Sequence, residues 1–130
     1  MIDPEREERL VAEAFRSRDN SVSHRSGFAV GAAIEAEDGR IFGGCNVENA
    51  TYGLTVCAER VAIWKALSEG VRRFRAVAVV TGADTPTPPC GACRQILWEF
   101  AGDVPVVSVT TGGRRKTYRM SELLPEPFDL

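Results

Sequence analysis

The chain has 130 residues, 16 basic and 18 acidic side chains for a net charge of −2, and 44% hydrophobic residues. The length suits one domain spanning residues 1–130, and the apolar fraction suits a packed core and excludes a disordered chain. There is no basic excess to drive sequence-independent nucleic-acid binding and no apolar run near the roughly 18 residues of a bilayer span, and the charged start Met1–Glu8 lacks a signal-peptide core. A soluble, cytoplasmic protein is therefore expected. In a reducing compartment its four cysteines read as metal ligands or free thiols before disulfides.

The first helix is predicted over Pro4–Arg18, with Asp3 as N-cap and Pro4 at the first helical position. Leu10, Val11, Ala14 and Phe15 form its apolar stripe. Two antiparallel strands follow, Phe28–Ala36 and Arg40–Val47, joined by the turn signal Glu37-Asp38-Gly39. Cys57–Glu69 reads as a helix ended by Gly70, apolar nearly all round and so well buried. Ala76–Thr81 is a continuously apolar strand, Gly91–Phe100 a helix and Val104–Thr110 a second apolar strand. That order calls for a parallel crossover. Gly112-Gly113 turns the chain back into a short basic strand, Arg115–Tyr118, before a last helical turn at Ser121–Leu124. The sum is one mixed α/β sheet of about five strands with helices on both faces.

The chemistry sits at two helix starts. In Cys90-Gly91-Ala92-Cys93 the two sulfurs, three residues apart, share a helix face and can point at one metal. The free N–H groups and positive dipole end of the terminus favour thiolates. Alone, this pair is ambiguous: a redox dithiol, half of a structural zinc site or part of a catalytic one. Cys57-Ala58-Glu59 opens the other helix and adds a third sulfur. Three protein ligands leave a tetrahedral zinc one position for water, whose pKa zinc lowers to roughly 7. Glu59, displaced around the helix from Cys57, suits a carboxylate beside that water but outside the coordination shell. By itself it is also an ordinary first-turn acid. Arg60 and Arg94 each follow a ligand directly. Either could hydrogen-bond a ligand sulfur and withdraw charge from it, or simply be solvated.

Cys57-x-Glu59 with Pro89-Cys90-x-x-Cys93 matches the three-cysteine form of the zinc-deaminase signature. With Phe28–Ala33, Gly44–Gly53 and the run on to Arg94-Gln95, the sequence resembles the short, three-cysteine, homotetrameric cytidine deaminases from about Phe28 to Phe128. The resemblance implies a three-layer α/β/α cytidine deaminase-like fold and one zinc per subunit on Cys57, Cys90 and Cys93. It implies hydrolytic deamination of cytidine and deoxycytidine, with Glu59 as the catalytic proton carrier. Phe28 would pack on the pyrimidine and Asn46 and Glu48 would hold ribose hydroxyls. Tyr52 would sit near a neighbouring subunit's pocket, and Arg60 would act on a ligand sulfur. Small nucleosides are the implied partners, with no nucleic acid and no membrane.

The sequence departs from the family before Phe28. His24-Arg25-Ser26-Gly27 stands where a Pro-Tyr-Ser-x run is usual, so a modified or bulkier cytosine nucleoside is an alternative substrate. Two rivals remain: a closed structural zinc site that also uses Cys45, and a deaminase of RNA or single-stranded DNA that uses the basic run Arg114-Arg115-Lys116.

Overall fold

Asp3 caps the first helix as expected: its carboxylate accepts the backbone N–H of Arg6 at 3.1 Å, and α1 runs Pro4–Arg18. This computed structural model describes residues 2–129. Leu10, Val11 and Ala14 of α1 are buried, whereas Phe15, expected in the same stripe, is 37% exposed. It lies at the stripe's edge and turns off the sheet.

Strands β1 (Val30–Ala36) and β2 (Ile41–Cys45) form the predicted antiparallel hairpin. Both are shorter than expected. The Asn46 side chain accepts the Val30 N–H at 2.9 Å and donates to the Phe28 carbonyl at 2.9 Å. It thus takes the place of ladder bonds and leaves Phe28, Ala29, Asn46 and Val47 outside the strands. Helix α2 is Ala58–Ser68 with Cys57 as its N-cap. It buries one face rather than its whole girth: Ala58, Glu59, Ala62, Ile63 and Ala66 are buried, and Trp64 is 46% exposed. Strand β3 (Phe74–Thr81) begins before the predicted Ala76. Helix α3 (Gly91–Ala101), β4 (Pro105–Thr110), β5 (Arg115–Arg119) and α4 (Met120–Leu123) complete the chain.

The sheet order is β2-β1-β3-β4-β5, with β3 and β4 parallel and every other neighbouring pair antiparallel. Side chains alternate across it. Ala33, Ala78, Val80, Val107 and Val109 pack with Leu10, Val11 and Ala14 of α1. Ile34, Val77, Val79 and Val106 pack with Ile63 of α2 and Leu97 of α3 on the other face. The result is the expected three-layer α/β/α arrangement. Two glycines permit close contact between layers. A Cβ at Gly31 would lie 2.0 Å from the Ala14 carbonyl oxygen, and one at Gly44 would lie 2.6 Å from that of Ala58. Among the described residues no helix is long and apolar enough to cross a membrane.

Register places one end of the sheet in common. Val30 pairs with Thr81, and Gly31 with Cys45. The entry to β1, the exit from β2 and the exit from β3 therefore meet, and the loop after β3 leads directly into α3.

Candidate active site

Cys57 and Cys90 are the N-caps of α2 and α3, and neither side chain makes a capping hydrogen bond. A serine or aspartate here would turn its oxygen onto the helix N–H groups. These sulfurs instead face each other at 3.9 Å. With Cys93, one turn into α3, they form a cluster whose three Sγ atoms all lie within 4.8 Å of one another. Three thiolates on a tetrahedral zinc at about 2.3 Å would stand roughly 3.8 Å apart, so the donor set fits that ion without rearrangement of the chain. Cys45, the last residue of β2, lies outside the cluster.

Electrostatics sharpen the picture. The Cys93 thiol beside Cys57, aided by the Arg60 guanidinium, holds Cys57 down to about 5 against the penalty of its burial. Cys93 is pushed up, chiefly because it donates to Cys57 and is itself buried. One proton is thus retained on Cys93 while Cys57 carries the negative charge; a divalent cation between them would displace that proton. Arg60 Nη2 lies 3.1 Å from Cys57 Sγ, while its Nε is buried without a partner. Arg94 does not contact a sulfur. Its guanidinium donates to the carbonyls of Pro89 at 2.7 Å and Leu123 at 2.8 Å, tying α4 to the start of α3.

Glu59 is buried in the first turn of α2. Desolvation, with a contribution from the Cys57 charge, pushes its carboxyl up to about 7, where it can both take and give a proton near neutrality. Glu59, Cys57 and Cys90 share the wall of one cavity of about 340 Å³ with Phe28, Asn46 and Glu48. Phe28, in that wall, is 41% exposed. Asn46 Oδ1 takes both the Val30 N–H and the Ser21 hydroxyl, and one Nδ2 hydrogen goes to Phe28, which leaves a single N–H uncommitted. Glu48 accepts the Ser26 hydroxyl and the backbone N–H groups of Arg25 and Ser26, so its carboxylate is held ionised. Tyr52, on a 3-10 turn at Tyr52–Leu54, is 73% exposed and lies beside the cavity rather than in it.

Thr81 and Thr87 were not singled out from the sequence, yet both line the cavity, with their hydroxyls 3.3 Å apart. They link the end of β3 to the loop that delivers Cys90. No local pattern marks them, because the loop between them brings the pair together.

Three convergent sulfurs with a buried carboxyl beside them, at the helix-facing end of an α/β sheet, define a hydrolytic metal centre of the open, three-ligand class. The chain matches the cytidine and deoxycytidylate deaminase zinc-binding region over residues 4–110. It is 47% identical over 122 residues to the cytidine deaminase of Sporosarcina psychrophila, a match covering 93% of this chain and 90% of that one. The crystal structure of cytidine deaminase from Burkholderia pseudomallei superposes with a TM-score of 0.90 at 42% identity, over 93% of this chain and 98% of that one. The enzyme from Mycobacterium tuberculosis superposes at 0.82 with 38% identity over 100% of both. The chain belongs to the cytidine and deoxycytidylate deaminase family, and zinc is its metal.

Proposed function

We propose that this protein converts cytidine and deoxycytidine, with water, into uridine or deoxyuridine and ammonia. The observation that carries this reading is the shared wall: Glu59, Cys57 and Cys90 line the same cavity as Phe28, Asn46 and Glu48. One cavity thus joins a metal centre and a proton carrier to an aromatic face and polar groups suited to a base and a sugar.

Cys57, Cys90 and Cys93 would hold the zinc. When bound, zinc supplies Lewis acidity that makes water a competent nucleophile at neutral pH. Arg60, donating to Cys57 Sγ, draws negative charge from the sulfur. Glu59 accepts a proton from the attacking water, delivers one to the ring nitrogen next to the amine-bearing carbon, and then serves the departing amine. Phe28 packs against the pyrimidine. The free N–H of Asn46 and the remaining lone pairs of Glu48 hold sugar hydroxyls. A fixed carboxylate there repels a phosphate, so nucleosides are favoured over nucleotides.

The nucleic-acid reading is weakened by the state of the basic run. Arg115 pairs with Glu7 and Glu8 at 2.7 Å, Lys116 lies over the Tyr118 ring, and Arg114 donates to the Asp84 carbonyl. Those cations are committed within the chain and do not line the cavity. We further infer one domain over 1–130, a cytoplasmic role in pyrimidine salvage, no membrane partner, and a homotetramer with pockets shared between subunits. Exposed Tyr52 and Leu54 are consistent with that assembly.

The test is ammonia release from cytidine, deoxycytidine, cytidine 5′-monophosphate and a cytosine-containing oligonucleotide. Turnover confined to the nucleosides is expected. Turnover of the oligonucleotide alone would overturn the assignment. Light scattering of an active particle should give the mass of four chains, and a fully active monomer would remove the assembly from the account.

A further inference from the structure

Of the three sulfurs, that of Cys90 is the least constrained by its own surroundings. Cys57 has the Arg60 guanidinium on its sulfur, and Cys93 is buried in α3. Cys90 stands exposed at the helix cap, and among the described residues its sulfur meets only that of Cys57 as a hydrogen-bonding partner. Its place must come from the backbone that carries it. That backbone is stiff. Thr87 is followed by Pro88 and Pro89. The rings fix φ at both prolines, and each proline restricts ψ of the residue before it. A displacement of Thr87 is therefore passed on to Cys90 rather than absorbed between them. On the far side the Pro89 carbonyl accepts the Arg94 guanidinium at 2.7 Å, which ties the remaining joint before Cys90.

Thr87 is in turn fastened to the sheet. Thr81 is the buried last residue of β3, and its carbonyl accepts the Thr111 N–H at 2.9 Å. Its hydroxyl accepts the Ala83 N–H at 3.3 Å and stands 3.3 Å from that of Thr87. The Thr87 hydroxyl donates to the Thr85 carbonyl at 3.4 Å, so the hydrogen shared by the two threonines comes from Thr81. These bonds close the loop onto the end of the strand and leave neither hydroxyl hydrogen unpaired. We propose that the Thr81–Thr87 pair is a positioning latch for the metal site. Through the rigid Pro88-Pro89 link it sets where Cys90 stands, and so how firmly the zinc is held. The latch acts on metal retention, whichever nucleoside is the substrate.

The test is the rate at which the zinc-loaded protein gives up its metal to excess chelator, with thermal unfolding followed on the same samples. Thr87→Val keeps the shape and removes the hydroxyl. It should lose zinc about tenfold faster, the lower end of what removing a partner behind a metal ligand costs. Thr87→Ser restores the hydroxyl and should release zinc at close to the unmutated rate. Thr81→Val should match Thr87→Val, and the double variant should be no faster than either, because each single change already breaks the one bond. Pro88→Ala keeps both hydroxyls, loosens the link and should also speed release, which tests the link independently of the threonines. Arg6→Ala lowers stability at the other end of β1, where Arg6 meets Glu35, and should keep the unmutated rate. Unchanged release in Thr87→Val or in Pro88→Ala, a Thr87→Ser variant as fast as Thr87→Val, losses that add in the double variant, or an equal acceleration in Arg6→Ala would overturn the latch.

Discussion

Gly44→Ala is a one-methyl test of how the fold positions the chemistry. Gly44 of β2 faces the first turns of α2, and an added Cβ would sit 2.6 Å from the Ala58 carbonyl oxygen and 2.6 Å from the Ala62 nitrogen. Ordinary contact begins at 3.4 Å, so helix and strand must part by the difference, about 0.8 Å. Both obstructing atoms are helix backbone and cannot rotate aside. Overpacking of this kind costs about 1–3 kcal/mol, a fall of several degrees in Tm for a chain of this size. The same helix carries Glu59 in its first turn and Cys57 at its cap, so the retreat also displaces the proposed proton carrier and a sulfur. A misplacement near 1 Å lowers kcat/KM by about 10²-fold. Thermal unfolding, zinc content and cytidine turnover on one preparation measure all three effects. Gly43→Ala is the control, because its methyl meets the Ser17 hydroxyl and the Glu13 side chain, which can turn away. Wild-type stability and turnover in Gly44→Ala would refute the claim that this contact sets the helix.

Three further outcomes are expected. Arg6 forms a two-point pair with the buried Glu35, at 3.1 and 2.7 Å; Arg6→Ala strands that carboxylate and should cost about 3 kcal/mol in denaturant unfolding, the low end for a broken buried pair because Arg6 keeps part of its surface in water. Cys45→Ala should leave zinc content and turnover intact, whereas loss of zinc would revive the closed four-cysteine site. In zinc-stripped protein, a Cys57 held down to about 5 is a thiolate above that pH and a thiol below it. Iodoacetamide at about pH 6.5 should therefore label Cys57 first, more slowly in Arg60→Gln, and first labelling at another cysteine would contradict the assigned charge.

Local signals were legible in proportion to how local their physics is. The Asp3-Pro4 pair marked the start of α1, because cap and first-turn proline act within a few residues. The strand ends were misread for a tertiary reason: Asn46, sixteen residues beyond Val30, substitutes its amide for the ladder. Arg75 is exposed and interrupts the apolar run, which hid the true start of β3 at Phe74. At the site, the cysteine spacing foretold that Cys90 and Cys93 could turn to one metal, since two sulfurs three residues apart on a helix share a face. The partners of Arg94 were not foreseeable, because Leu123 reaches it only through the return of the chain along β4 and β5. The Thr81–Thr87 contact likewise exists only once the loop is folded.

The central claim is that Glu59 moves the proton beside a zinc held by three sulfurs. Glu59→Gln keeps the side chain's shape and removes its ability to exchange a proton, so the decisive measurement is its rate of ammonia release from cytidine, with zinc determined on the same sample. One zinc per chain and a rate lower by about 10²-fold or more are predicted. Undiminished turnover with zinc in place would contradict the account.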